Sequence, residues 1–154
     1  MIAARRGMAL PLTLLALAVI AALVAVSFGA ALLEQRIGRN TLYAAQAAGA
    51  AEAGAAAVVG EWDAHGLGLL APGGTAVLPA VVLPGGTAYT PTVSRVNNEL
   101  FLVRVTALRR DGGGGVLARR EVRLLLRAAD SAVPGSPPVR PLLNRAWVPV
   151  SMSP

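Results

Sequence analysis

The chain has no cysteine, no lysine and only one histidine, His65. Without cysteine no disulfide holds the fold, although an oxidising compartment remains allowed. With one histidine and no thiol, neither a Ser/His/Asp nor a Cys/His set can be assembled. His65 has no Cys, His or acidic cluster at ligand spacing, so it reads as a solvated loop residue and not as a metal ligand. The eight acidic residues are scattered, and no pair stands out as a general acid and base. No Walker sequence is present. The Gly112–Gly115 run lacks a following Lys-Ser/Thr, so it reads as a turn and not as a phosphate cradle. These absences leave an enzyme without supporting residues, and they call for no cofactor and no metal. All 14 basic residues are arginine, which fits genome composition as well as selection for guanidinium chemistry. The net charge is +6, and Arg5 and Arg6 at the extreme N-terminus carry two of those charges. The remaining excess is too small to imply a nucleic-acid partner by itself.

What the chain does have is a long uncharged run, Met8 to Leu33, 26 residues in length. As a helix it would reach about 39 Å, more than the roughly 30 Å of bilayer hydrocarbon. Lipid demands that such a run be helical, because the backbone polar groups find no other partners there. Arg5 and Arg6 precede it. They favour a cytoplasmic N-terminus and export of everything after Glu34. The run is longer than the apolar core of an ordinary secretory signal. Even so, Ser27-Phe28-Gly29 and Gly29-Ala30-Ala31 could each serve a signal peptidase, which keeps open a cleaved, secreted chain.

From Glu34 to about Trp62 no strong breaker intervenes, and ten residues between Asn40 and Gly60 are alanine. Alanine has the best helix propensity, so this stretch should stay helical despite Gly49, Gly54 and Gly60, at about 1 kcal/mol each. Ile37, Ala44, Ala48, Ala51, Ala55, Val58 or Val59, and Trp62 recur at helical spacing and define one apolar face. Gln35, Arg39, Gln46 and Glu52 stand against it. Met8 to Trp62 therefore reads as one helix of about 80 Å.

Gly66, Gly68, Pro72, Gly73 and Gly74 then mark a loop. Thr75–Leu83 is β-branched but holds Pro79, which reduces it to an edge strand or an extended segment. Pro84-Gly85-Gly86 is a turn, and Thr87–Val96 a strand interrupted by Pro91. Glu99–Arg109 is the strongest strand, with Phe101, Val103, Val105 and Ala107 alternating against Leu102, Arg104, Thr106 and Leu108. A glycine loop from Asp111 leads to a return strand, Val116–Arg127. A four-residue loop, Asp111–Gly114, would pair Phe101 with Leu124 and Val103 with Val122. The even positions of the return strand are apolar except Arg120, so one hairpin face must be covered. The Ala-rich helix face is the only large partner available. Ala128–Pro141 reads as an exposed Pro-rich loop, Arg145–Val150 as a last short strand, and Ser151–Pro154 as a frayed end. The fold class is α+β, a long N-terminal helix packed on a small antiparallel sheet. Its parts are residues 1–7 as a leader, 8–33 as a transmembrane helix, 34–62 as the exported helical half, and 63–154 as the β domain.

The N-terminus resembles the type IV pilins, and most of all the minor pilins of the PilX type. The resemblance rests on Arg5-Arg6-Gly7 followed by Met8, and on the single helix that is half span and half support. It also rests on Glu34-Gln35-Arg36-Ile37-Gly38-Arg39-Asn40, with Gln46-Ala47-Ala48 and Ala51-Glu52-Ala53. It covers roughly residues 5–62. It implies cleavage after Gly7 by a prepilin peptidase, N-methylation of Met8, storage in the bacterial inner membrane and helix-to-helix packing with other pilins or pseudopilins. Most major pilins carry Glu as the fifth mature residue, to neutralise a neighbour's N-terminal amine. Here that place holds Leu12, preceded by Pro11. Related minor pilins and a tip pseudopilin of type II secretion share this lack, which implies a place at initiation or at the tip. The C-terminal disulfide loop of many pilins is also missing, and with it any adhesive role placed there.

Two further readings compete. A membrane-anchored or secreted domain could bind a partner through its sheet and never enter a filament. The arginines Arg104, Arg109, Arg110, Arg119, Arg120 and Arg123 could form a basic patch for DNA or another anionic surface, against the plainer reading of a solvated face with subunit salt bridges. The scarcity of interleaved aromatics speaks against single-strand binding.

Overall fold

The computed structural model describes residues 9–129, 138–142 and 147–148. Gly7, Met8, the Pro134–Pro137 stretch and Ser151–Pro154 lie outside the described residues. One helix, α1, runs from Ala9 to Gly60 over 52 residues. Two compact units divide the chain, the first ending at Arg39 and the second beginning at Asn40.

In the first unit every large apolar side chain from Leu10 to Leu33 is exposed. The helix is long and apolar enough to cross a membrane. Its two hydroxyls are already satisfied by the helix itself: Thr13 donates to the Leu10 carbonyl at 2.8 Å and Ser27 to the Leu23 carbonyl at 2.9 Å. Neither would carry an unpaired donor into lipid.

The second unit stacks the end of α1 on a sheet of seven strands: β1 (Thr75–Val77), β2 (Val81–Leu83), β3 (Thr87–Arg95), β4 (Leu100–Arg110), β5 (Val116–Ala128), β6 (Val139–Pro141) and β7 (Trp147–Val148). All pairings are antiparallel. The order is β1-β3-β4-β5-β6, with β2 also on β3 and β7 also on β5. Three long strands thus form the centre, and each edge is made of two short pieces. Such broken edges offer little template for unwanted pairing.

The core is where α1 meets the sheet. Ala50, Ala51, Ala55, Val58 and Trp62 are buried in one cluster with Tyr89, Val93, Phe101, Val103, Val105, Ala107, Leu124 and Leu126, and Ala47 is buried as well. The buried helix face is therefore centred on Ala47, Ala51 and Ala55, and it includes Ala50 and Gly54, while Ala48 is half-buried. Ile37, expected on this face, is exposed and belongs to the first unit. Regular helix ends at Gly60, not Trp62, and the chain turns through Gly66 at φ 61°. Trp62 stays buried in that turn, edge-on to Phe101 with ring centroids 5.0 Å apart.

Four sheet expectations need correction. Pro79 splits Thr75–Leu83 into two strands, β1 and β2, both paired with β3. Pro91 does not interrupt β3. Its carbonyl accepts from Leu78 on the β1/β2 side, so its missing N–H also faces that side, at the break around Pro79. No β3–β4 bond is lost. The hairpin register differs by two residues: Phe101 pairs with Leu126, Val103 with Leu124 and Val105 with Val122. The loop holds five residues, Asp111–Gly115, and the register shifts between Arg109 and Arg110, where Leu117 of β5 is the extra, bulged residue. An even slip preserves the alternation, so the covered face is the one expected. Finally, Val139–Pro141 is a strand and not loop, with Val139 buried beside Ala128.

Candidate interaction surface

The face of the sheet turned away from α1 follows from strand parity. Leu102, Arg104, Thr106 and Leu108 of β4 lie on it, opposite Leu125, Arg123, Glu121 and Arg119 of β5. Arg104 and Arg123 are direct cross-strand neighbours. Like charges placed so are destabilising. Glu121 answers this: its Oε1 lies 2.7 Å from Arg123 Nε and 3.6 Å from Arg104 Nε. A second pair repeats the arrangement, for Arg127 faces Arg140 across β5 and β6. There Arg127 Nη2 contacts Glu99 Oε2 at 3.0 Å. The exposed Arg127–Glu99 pair contributes about 0–1 kcal/mol, so its main effect is to set the local charge pattern.

The six arginines singled out from the sequence do not form one patch. Arg104, Arg119 and Arg123 share the outer face. Arg109 lies on the helix side, where its Nε donates to Gln46 Oε1 at 2.8 Å and its guanidinium sits 5.6 Å from the Tyr43 ring centroid. Arg120 is also on the helix side, opposite buried Ala107, and its Nη1 donates to the Arg119 carbonyl at 3.2 Å. Arg110 is at the hairpin tip, donating to the Gly114 carbonyl at 3.0 Å. Arg127 and Arg140 join the outer face by register. Period-two alternation already puts Arg127 among the charged odd positions of the return strand, but Arg140 sits between Val139 and Pro141 in a stretch that reads as loop.

Sequence reasoning missed Arg95. Its Nη1 donates to the Leu70 carbonyl at 2.6 Å and the Gly68 carbonyl at 3.2 Å. Its Nε and Nη2 donate to the carbonyls of Asn97 and Asn98 at 3.1 and 2.8 Å, and it lies 5.2 Å from the Phe101 ring centroid. One guanidinium therefore ties the loop after α1 to the β3–β4 turn. Only its fixed fork of donors suits that task. No spacing in the sequence reveals it, because all four acceptors are backbone carbonyls.

His65 lies at the surface with Nε2 3.3 Å from Glu61 Oε2. Beside them Ala57, Val58, Leu78, Pro79, Val81, Tyr89 and Pro91 line a mostly apolar hollow of about 130 Å³. Among the described residues no group of three or more His, Cys, Asp or Glu could hold a metal ion. The arrangement can pair charges and present an arginine-rich face. No family model, curated protein or solved structure matches the chain.

Proposed function

We propose that this chain is a minor pilin or pseudopilin of the PilX type, a structural subunit of a type IV pilus or type II secretion filament. One observation carries the reading. The same helix presents an uncovered apolar half and, beyond Asn40, a small-residue face that supports an antiparallel sheet. An apolar helix surface of that length needs lipid or neighbouring helices around it. A filament core of packed helices supplies the second when the membrane supplies the first. The Arg5-Arg6-Gly7 head before Met8 fits removal by a prepilin peptidase in the inner membrane. Leu12 argues for initiation or the tip, because a subunit with no neighbour above it has no amine to neutralise. Partners are then other pilins or pseudopilins, met through α1.

Mass spectrometry of the mature N-terminus, in a host with a prepilin peptidase, tests this. A chain beginning at methylated Met8 supports it. A start at Ala30 or Leu32 would mark ordinary secretion and overturn it.

A further inference from the structure

We infer that Asp111–Gly112, at the tip of the β4–β5 hairpin, is a site of self-modification, where the aspartate converts to isoaspartate through a cyclic imide. An accounting of the loop amides leads there. Asp111 N–H donates to the Gly115 carbonyl at 2.9 Å, and Gly114 N–H to the Asp111 carbonyl at 3.2 Å. Gly113 and Gly115 N–H both donate to Asp111 Oδ1, at 3.0 and 2.7 Å. Gly112 N–H is the remaining one, and among the described residues it has no partner.

That amide is the nucleophile which closes a five-membered ring on the Asp111 carboxyl carbon. A side chain on residue 112 would shield the nitrogen, and glycine has none. Both residues are exposed, so water reaches them.

In the first step the Gly112 nitrogen bonds to Asp111 Cγ of the carboxylic acid. The Cγ–OH bond breaks, and hydroxyl and amide proton leave together as water. In the second step a water molecule opens the ring. Attack at Cγ restores aspartate. Attack at the Asp111 main-chain carbonyl carbon breaks its bond to the Gly112 nitrogen and regenerates the N–H. The chain then runs through Cβ and Cγ, with the carboxylate on Cα. The isoaspartyl loop is one carbon longer, and Asp111 Oδ1 no longer latches Gly113 and Gly115.

The test is to incubate the full chain, purified in detergent, in heavy-oxygen water at weakly acidic and weakly alkaline pH. Trypsin cuts after Arg110 and Arg119 and releases residues 111–119 for mass spectrometry. The expected result is one heavy oxygen gained at Asp111, split between an aspartyl and an isoaspartyl form. Labelling at Asp63 should be several-fold lower. Gly112→Ala has open space for its Cβ, so the fold should persist while labelling falls several-fold. An unlabelled Asp111, or labelling that Gly112→Ala leaves unchanged, overturns the assignment.

Discussion

Gly54 offers the sharpest test of how α1 meets the sheet. A Cβ at this position would lie 2.6 Å from Tyr89 Cδ2 and 2.9 Å from both Tyr89 Cγ and Val105 Cγ1. Val105 is fully buried and Tyr89 nearly so. Neither can swing aside, because one is a ring held in the core and the other a β-branched side chain inside a sheet. Gly54→Ala therefore sets two effects against each other. Alanine gains about 1 kcal/mol of helix propensity. Overpacking a fixed core costs about 1–3 kcal/mol, and three contacts below 3.0 Å place this site at the upper end. The net expectation is a loss of about 2 kcal/mol, or about 10 °C in melting temperature for a domain near 100 residues. The control is Gly49→Ala, where a Cβ meets nothing within 4 Å. There only the propensity operates, and the variant should melt about 5 °C higher. Near-ultraviolet circular dichroism of the full chain in detergent follows the aromatic core and reads both. A Gly54→Ala chain that melts at or above the parent would refute the close approach of helix and sheet.

Val103→Asp should cost several kcal/mol, since Val103 is fully buried between Val93 and Leu124, and urea titration would expose an error if the midpoint stayed unmoved. Arg95→Lys should lose about 2 kcal/mol, because a single ammonium cannot reach the carbonyls of Leu70, Gly68, Asn97 and Asn98 together. Hydrogen exchange should show the gain in opening concentrated at residues 67–70 and 97–98, and a uniform change would contradict the tie. Gly7→Arg should block processing and leave insertion intact, read as an unprocessed band in the membrane fraction. Expressed without other prepilins, the chain should form no filaments by electron microscopy, since Leu12 cannot neutralise a neighbour's buried amine; abundant filaments of this chain alone would dismiss the tip assignment.

Which parts of this fold can be read from the residues depends on what each feature requires. Facing is a matter of parity. Phe101, Val103, Val105 and Ala107 alternate with polar or half-buried neighbours, so the covered face of β4 follows from sequence. Register is a matter of loop geometry. Four consecutive glycines accept many backbone paths, and nothing in Gly112–Gly115 distinguishes a four-residue loop from five residues with a bulge. The slip was even, so the facing survived an incorrect register. The same division explains the arginines. Parity places Arg104, Arg119, Arg123 and Arg127 together and sends Arg120 to the other face. The bulge beside Arg109 lies beyond what alternation can resolve. Gly54 shows the opposite problem. Taken by itself a glycine in a helix is a cost, and Gly49, Gly54 and Gly60 look alike along the chain. Only the position of Tyr89 and Val105, some 35 to 51 residues later, separates one from the others. What makes Gly54 necessary is therefore a property of the packed pair of layers, and it comes into existence only when the strands that carry Tyr89 and Val105 are laid against α1.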